Sequence, residues 1–215
     1  RNEMTQLNQT FSQFEWAFHA VVTLIYSVCA VLIVPFITVY TDKITDANYK
    51  LPLFGVVMCI AMAVYCIRLP YNQMVMAAGH FKQTQNSAIV EAILNLTISI
   101  AVVYRFGLIG VALGTLIAIF YRTVYLAVYL SKYILKRNIL IFLKRCVKDC
   151  MVAAVIYFST KWIHMMDVSY IAWLIMAVKV GIVSTAECVF LNLIFDKKAF
   201  MSVAEKISGR KSLGL

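Results

Sequence analysis

Three cations and two acids stand in this sequence where charge is expensive. Arg68, Arg122, Lys179, Glu91 and Glu187 each interrupt a long apolar run. A charged side chain at membrane depth costs at least about 2.5 kcal/mol even on lenient insertion scales, so each should face protein or water. A guanidinium can grip phosphate oxygens through two parallel hydrogen bonds, which makes Arg68 and Arg122, with Lys179, candidates for holding an anionic substrate head. Glu91 and Glu187 would line the same cavity or neutralise a cation. For Arg68 three readings stand: substrate contact, a structural ion pair with Glu91 on the neighbouring helix, or snorkelling towards the interface. Lys179 and Glu187 are eight residues apart, so they point about 80° apart on a helix and do not pair directly. Pro70 follows Arg68 by two residues and frees a carbonyl near Cys66, while Pro35 interrupts an earlier run; both are candidate helix kinks.

Other chemistries find little to work with. Cys29, Cys59, Cys66 and Cys188 sit inside apolar runs, where a thiol behaves as a small apolar group. Cys146 and Cys150 are four apart but stand alone, and His19, His80 and His164 are scattered near the ends of runs. There is no phosphate loop, CxxC pair or nucleophile elbow. The sequence therefore predicts no catalytic residues, no metal site and no cofactor. Tyr121, Tyr125 and Tyr129 share one helical face, suited either to stacking on sugar or to anchoring at a lipid interface.

The elements that carry these residues follow from composition. Of 215 residues, 62% are hydrophobic and only 14% charged, with a mean hydropathy of +0.82. A soluble domain of this size needs roughly a quarter of its residues charged, so this surface faces lipid. A helix crosses a hydrocarbon core of about 30 Å with about 20 residues. The apolar runs predict six transmembrane helices, at about 20–41, 51–78, 88–104, 108–130, 150–166 and 170–195, the fifth being the shortest. None alternates as barrel strands do, so the fold class is all-α and polytopic.

Basic residues orient the spans. With the N-terminal end inside, Lys82, the Lys132–Lys148 group and the tail from Lys197 to Lys211 fall inside, while only Lys43, Lys50, Arg105 and Lys161 fall outside. Both ends of the chain are thus expected on the cytoplasmic side. The net charge of +10 suits anionic headgroups, and nucleic acid need not be invoked. The segment "SKYILKRNILIFLKRCVKD", Ser131 to Asp149, reads either as an interfacial helix with Arg137, Lys144 and Lys148 on one face or as a charged connector continuous with a span. Gly110 and Gly114 form a small-xxx-small pair that lets helices approach closely, chiefly for packing within the molecule.

Several stretches resemble a known family. They are the turn "AGHFKQTQ", the helix opening "EAILNLTIS", the start "GLIGVALGT" followed by "YR", the end "PFITVYT" and the loop "ITDANY". Together, between Pro35 and Arg122, these resemble the C-terminal half of bacterial polysaccharide flippases, the Wzx-like exporters related to the MATE drug exporters. The resemblance implies the second lobe of a two-lobed transporter in the bacterial inner membrane. Such a lobe would help move an undecaprenyl-pyrophosphate-linked oligosaccharide from inner to outer leaflet by alternating access, for O-antigen or other surface polysaccharide. It also implies membrane lipids and polysaccharide assembly proteins as partners. A drug exporter of the same superfamily and a non-transporting, partner-binding membrane subunit are the alternatives. The opening "RNEMTQLNQTF", without an initiator Met or signal pattern, leads to the expectation that a first lobe precedes this segment in a longer protein.

The orientation is testable. An impermeant thiol reagent applied to intact cells should label a cysteine introduced at Asp46 and leave one at Lys197 unlabelled; the reverse pattern would invert the topology.

Overall fold

The computed structural model describes residues 2–42, 44 and 51–207, with side chains given for 3–42, 44, 51–197 and 199–203. The expected external loop around 45–50 and the basic tail from 208 lie outside the described residues. Among the described residues seven α-helices follow in order: α1 Asn2–Tyr40, α2 Pro52–Ala77, α3 Phe81–Phe106, α4 Leu108–Tyr129, α5 Leu140–Thr160, α6 Tyr170–Phe195 and α7 Lys197–Ile207. There is no strand among the described residues. The protein is an all-α polytopic membrane protein.

Local chemistry sets several of the boundaries. Pro52 opens α2, where its missing N–H would be unpaired in any case. Gly107 joins α3 to α4 with a φ of +55°, a left-handed conformation that lets the chain reverse within one residue. Ser169 caps α6 by accepting from the Ala172 N–H at 3.1 Å. At its far end α4 widens into a π-helical turn, Leu130–Ile134. Lys136, with a φ of +50°, then breaks the helix before α5 begins.

Pairings between helices give an up-and-down bundle. Gly55 of α2 meets Ile33 of α1, and Tyr71 meets Glu15, so these two helices run antiparallel. Glu91 pairs with Arg122 and Ser99 packs on Gly114, so α3 and α4 are antiparallel too. Trp173 reaches Leu32 while Trp16 reaches Asp196, which sets α6 antiparallel to α1. α1 is the hub: it packs on α2 on one side and on α5 and α6 on the other, while α4 sits between α2 and α3. The tips of α2, α4 and α6 and the starts of α1, α3 and α5 share one end, here termed the basic end.

Among the described residues, five helices are long and apolar enough to cross a membrane: α1, α2, α3, α4 with its π turn, and α6. Their outward faces carry large apolar side chains, Leu96, Phe120, Ile171 and Ile182 among them. α5 differs from the expected fifth span. It begins ten residues earlier, at Leu140, and stops at Thr160 before a turn. Its first half bears Lys144, Arg145, Lys148 and Asp149, so the charged connector from Leu140 onwards and the apolar segment are one continuous helix, while 135–139 are not helical. At 39 residues, α1 measures about 58 Å, nearly twice the hydrocarbon thickness, so its first turns extend past the apolar slab.

Pro35 and Pro70 lie inside continuous helices. Each removes one i→i−4 bond, leaving the carbonyls of Val31 and Cys66 without that donor. The glycine pair packs within the molecule: a Cβ on Gly110 would stand 2.8 Å from the Val102 carbonyl, and one on Gly114 would stand 2.9 Å from the Ser99 nitrogen. No backbone can absorb such contacts without moving. Gly114→Leu should therefore part α3 from α4 and lower the melting temperature in detergent by several degrees, whereas the same change at the open Gly181 should have little effect.

Candidate functional site

Glu91 sits between two of the candidate cations. Arg68 of α2 donates from Nη1 to Oε1 at 2.6 Å, and Arg122 of α4 donates from Nη1 to Oε2 at 2.8 Å. The three helices hold these groups at one level. Thr123 of α4 bonds the Val64 carbonyl of α2 at 3.4 Å, and Asn95 of α3 takes the Thr115 hydroxyl of α4 at 3.4 Å. The close approach at Gly110 and Gly114 brings α3 near enough for Glu91 to reach across. Arg68 lies nine residues before the α2 end, about 14 Å from the basic end.

Each carboxylate oxygen serves one guanidinium, so the cluster holds two positive charges and one negative. Arg68 is nearly enclosed and also lies 4.7 Å from the Tyr65 ring centre. Arg122 is the accessible member: its side chain keeps 24% exposure, while its Nε is buried without a partner. The ion pair foreseen between Arg68 and Glu91 is present, and Arg122 completes it as a triad.

The other predicted residues stand elsewhere. Lys179 is exposed on α6, a helix that packs on α1, α5 and α7. Glu187 is half-buried on the same helix and accepts from the Ser159 hydroxyl of α5 at 2.8 Å. The structure brings neither to the arginine pair.

A second polar cluster escaped the sequence reading. Glu15 of α1 is fully buried and takes a bidentate grip from Arg137, Nη2 to Oε1 at 2.7 Å and Nη1 to Oε2 at 2.9 Å. Arg145 of α5 approaches the same carboxylate at 3.5 Å and bonds Ser12 at 2.7 Å. Tyr71 of α2 donates its hydroxyl proton to Glu15. One turn along α1, His19 bonds Asp149 of α5 through Nδ1 at 2.5 Å and faces the Tyr71 hydroxyl through Nε2 at 3.3 Å. Nearby, Lys148 pairs with Asp196 at 2.5 Å and Asn192 at 3.2 Å, and Trp16 donates to Asp196 at 3.1 Å.

This arrangement corrects the expected basic face. Lys144 does face outwards, but Arg137 turns inwards onto the buried Glu15, and Lys148 turns inwards onto the partly exposed Asp196. The available signal was the spacing: Glu15 with His19, and Arg145 with Asp149, are both i,i+4 pairs and so present one stripe each. Hydropathy hid them, because the apolar run proper begins at Ala20.

Two recesses accompany the clusters. One of about 360 Å³ lies between α1, α2 and α5, largely apolar, with Thr23, Ser27 and Asp149 as its polar lining. The other, about 480 Å³, lies at the basic end beside Gln83, Tyr125, Tyr129, Lys132 and Tyr133. There the tyrosine face extends to a ladder, Tyr121, Tyr125, Tyr129 and Tyr133, with ring centres 6.3, 6.2 and 4.8 Å apart. Among the described residues, no group of three His, Cys, Asp or Glu side chains could hold a metal ion. No family model, curated protein or solved structure gives a significant match to the chain.

Breaking a buried pair by removing one charge costs about 3–5 kcal/mol, because the partner stays buried and unpaired. Glu15→Gln would strand two arginines. It should lower thermal stability in detergent steeply, while Lys144→Gln, on the exposed face, should leave the melting temperature unchanged.

Proposed function

We propose that this chain forms part of a flippase carrying an undecaprenyl-pyrophosphate-linked oligosaccharide from the cytoplasmic to the outer leaflet of a bacterial inner membrane. The observation that carries the site is the triad's charge: one carboxylate between two guanidiniums, at membrane depth. The uncompensated positive charge gives an anionic headgroup something to bind. Phosphate oxygens would engage Arg122, whose side chain is the more open and whose Nε is unpartnered. Glu91 holds the arginines ready in the empty state and gives up part of its hold when phosphate arrives. The identity of the cargo rests on the resemblance of the "AGHFKQTQ", "EAILNLTIS" and "GLIGVALGT" stretches to flippases. These stretches form the α2–α3 turn, the start and middle of α3, and the start of α4, the elements that carry the triad.

In this reading the basic end faces the cytoplasm, where lipid-linked sugars are assembled. The tyrosine ladder there offers ring faces on which a saccharide can stack. Alternating access would come from movement of this lobe against a second one.

Neutralising both arginines, Arg68→Gln with Arg122→Gln, in the full-length protein should reduce surface polysaccharide export at least tenfold at normal membrane abundance. Loss of one charge-assisted hydrogen bond, worth about 1.5–3 kcal/mol, already corresponds to about that factor. Normal export by a well-expressed double variant would remove the cation site. Normal export after deletion of the gene, with no paralogue present, would remove the function.

A further inference from the structure

Counting hydrogens along the chain Glu15–Tyr71–His19–Asp149 leaves it one proton short. Both Glu15 oxygens accept from Arg137, and Tyr71 gives Glu15 its single hydroxyl proton. The Tyr71 oxygen can then only accept from His19, which requires a hydrogen on Nε2. Across the ring, Nδ1 lies 2.5 Å from an Asp149 carboxylate oxygen, which also requires a hydrogen between them. A neutral imidazole carries one N–H and an ionised carboxylate none. With Nδ1–H, the bare Nε2 faces the lone pairs of Tyr71; with Nε2–H, the bare Nδ1 faces a carboxylate at 2.5 Å. His19 is fully buried, so no water relieves either arrangement. One added proton, shared between His19 Nδ1 and Asp149, satisfies both bonds.

We infer that His19 and Asp149 form a proton-binding site that locks α5 against α1, and that loss of the proton releases Asp149 into the adjoining cleft. Two further observations point the same way. Asp149 lines the cleft of about 360 Å³ between α1, α2 and α5, so the proton has a way out. One turn beyond His19, Thr23 lines the same cleft with a buried hydroxyl that has no partner. A released Asp149 carboxylate finds a donor there.

The other charged and titratable groups around the site are accounted for. On α1 stands Glu15, on α2 Tyr71, and on the connector Arg137. On α5 stand Arg145, Cys146 and Lys148. Asp196, beyond the α6 end, faces Lys148 and Trp16. Both arginines pair with Glu15, though Arg137 Nε and Arg145 Nη1 stay buried without partners, and Lys148 is engaged by Asp196 and Asn192. Without the added proton, Glu15 and Asp149 balance Arg137 and Arg145; with it the cluster carries one positive charge. The locked state binds one proton that the parted residues do not, so acid favours the lock and rising pH opens it.

Nitrogen-15 NMR of the full-length protein in lipid nanodiscs tests this, the His19 signals being assigned by their loss in His19→Gln. Across the pH range in which the protein stays folded, His19 should pass, as pH rises, from a form with a proton on Nε2 and a strongly bonded Nδ1 to one that has released a proton. A ring that keeps one form across the whole range, whichever it is, overturns the switch. Hydrogen exchange gives a second reading. Corrected for intrinsic rates, protection of the α5 amides should fall by up to about tenfold per pH unit, the limit for one linked proton. In Asp149→Asn the side-chain amide can donate to Nδ1 at any pH, so the slope should vanish. An equal slope in wild type and Asp149→Asn overturns the proposal even where the NMR titration is seen.

Discussion

The contact on which much of this fold depends is the bidentate pair between Glu15 and Arg137. A carboxylate with no exposure to solvent is tolerable only when its charge is matched and both oxygens are bonded. Meeting that condition fixes three elements. α1 must extend below its apolar run to present Glu15. The chain after α4 must stop its helix, through the π turn and the left-handed Lys136, so that Arg137 points back into the bundle. α5 must then start with its charged half facing α1, which places Arg145 on Glu15 and Asp149 on His19. Tyr71 ties α2 into the same knot. A cluster of Phe11, Tyr71, Val75, Leu126, Leu130, Leu135 and Phe142 surrounds it and keeps water away.

The remaining architecture divides around α1. α2, α3 and α4 form one group, closed by glycine contacts and the Arg68–Glu91–Arg122 triad. α5 and α6 form the other, closed by Val152, Ile156 and Cys188 and by Lys148 on Asp196. The apolar cleft lies where α5 and α2 diverge on either side of the hub. Of the two polar clusters, only that around Glu15 bonds elements on both sides of α1. A change in its bonding therefore acts on the relation between the groups, whereas a change at the triad acts within one of them.

How much of this the sequence disclosed depends on whether a feature is local. The apolar runs marked α2, α4 and α6 nearly to their ends, because a span is a property of consecutive residues. Gly110 and Gly114 announced close packing for the same reason. Arg68 and Glu91 were conspicuous because each stood alone in apolar surroundings, so pairing them was the economical reading. Arg122 was seen, but its sharing of Glu91 depends on the geometry of three helices. Glu15 and His19 precede the apolar run, where polar residues are ordinarily solvated, so nothing local marks them as a buried cluster. Lys148 and Arg137 were expected at the headgroups because a basic residue beside a span usually belongs there. Their inward turn is decided by partners more than forty residues away, which no window of hydropathy can include.

The two polar clusters also differ in what they lack. In the triad the protein supplies two cations and one anion, all with their hydrogens fixed, so the deficit is negative charge. An anion is the natural complement, and Arg122 stands where one could arrive. In the Glu15 cluster the carboxylates and guanidiniums balance and each cation has a carboxylate partner, although Arg137 Nε and Arg145 Nη1 keep unshared hydrogens; around His19 the deficit is a single hydrogen between two acceptors. A proton is the natural complement there, and the cleft beside Asp149 is its route. Both sites answer the same demand, that charge withdrawn from water be paired. They answer it with different shortfalls, and a shortfall is what leaves a buried polar site open to a ligand.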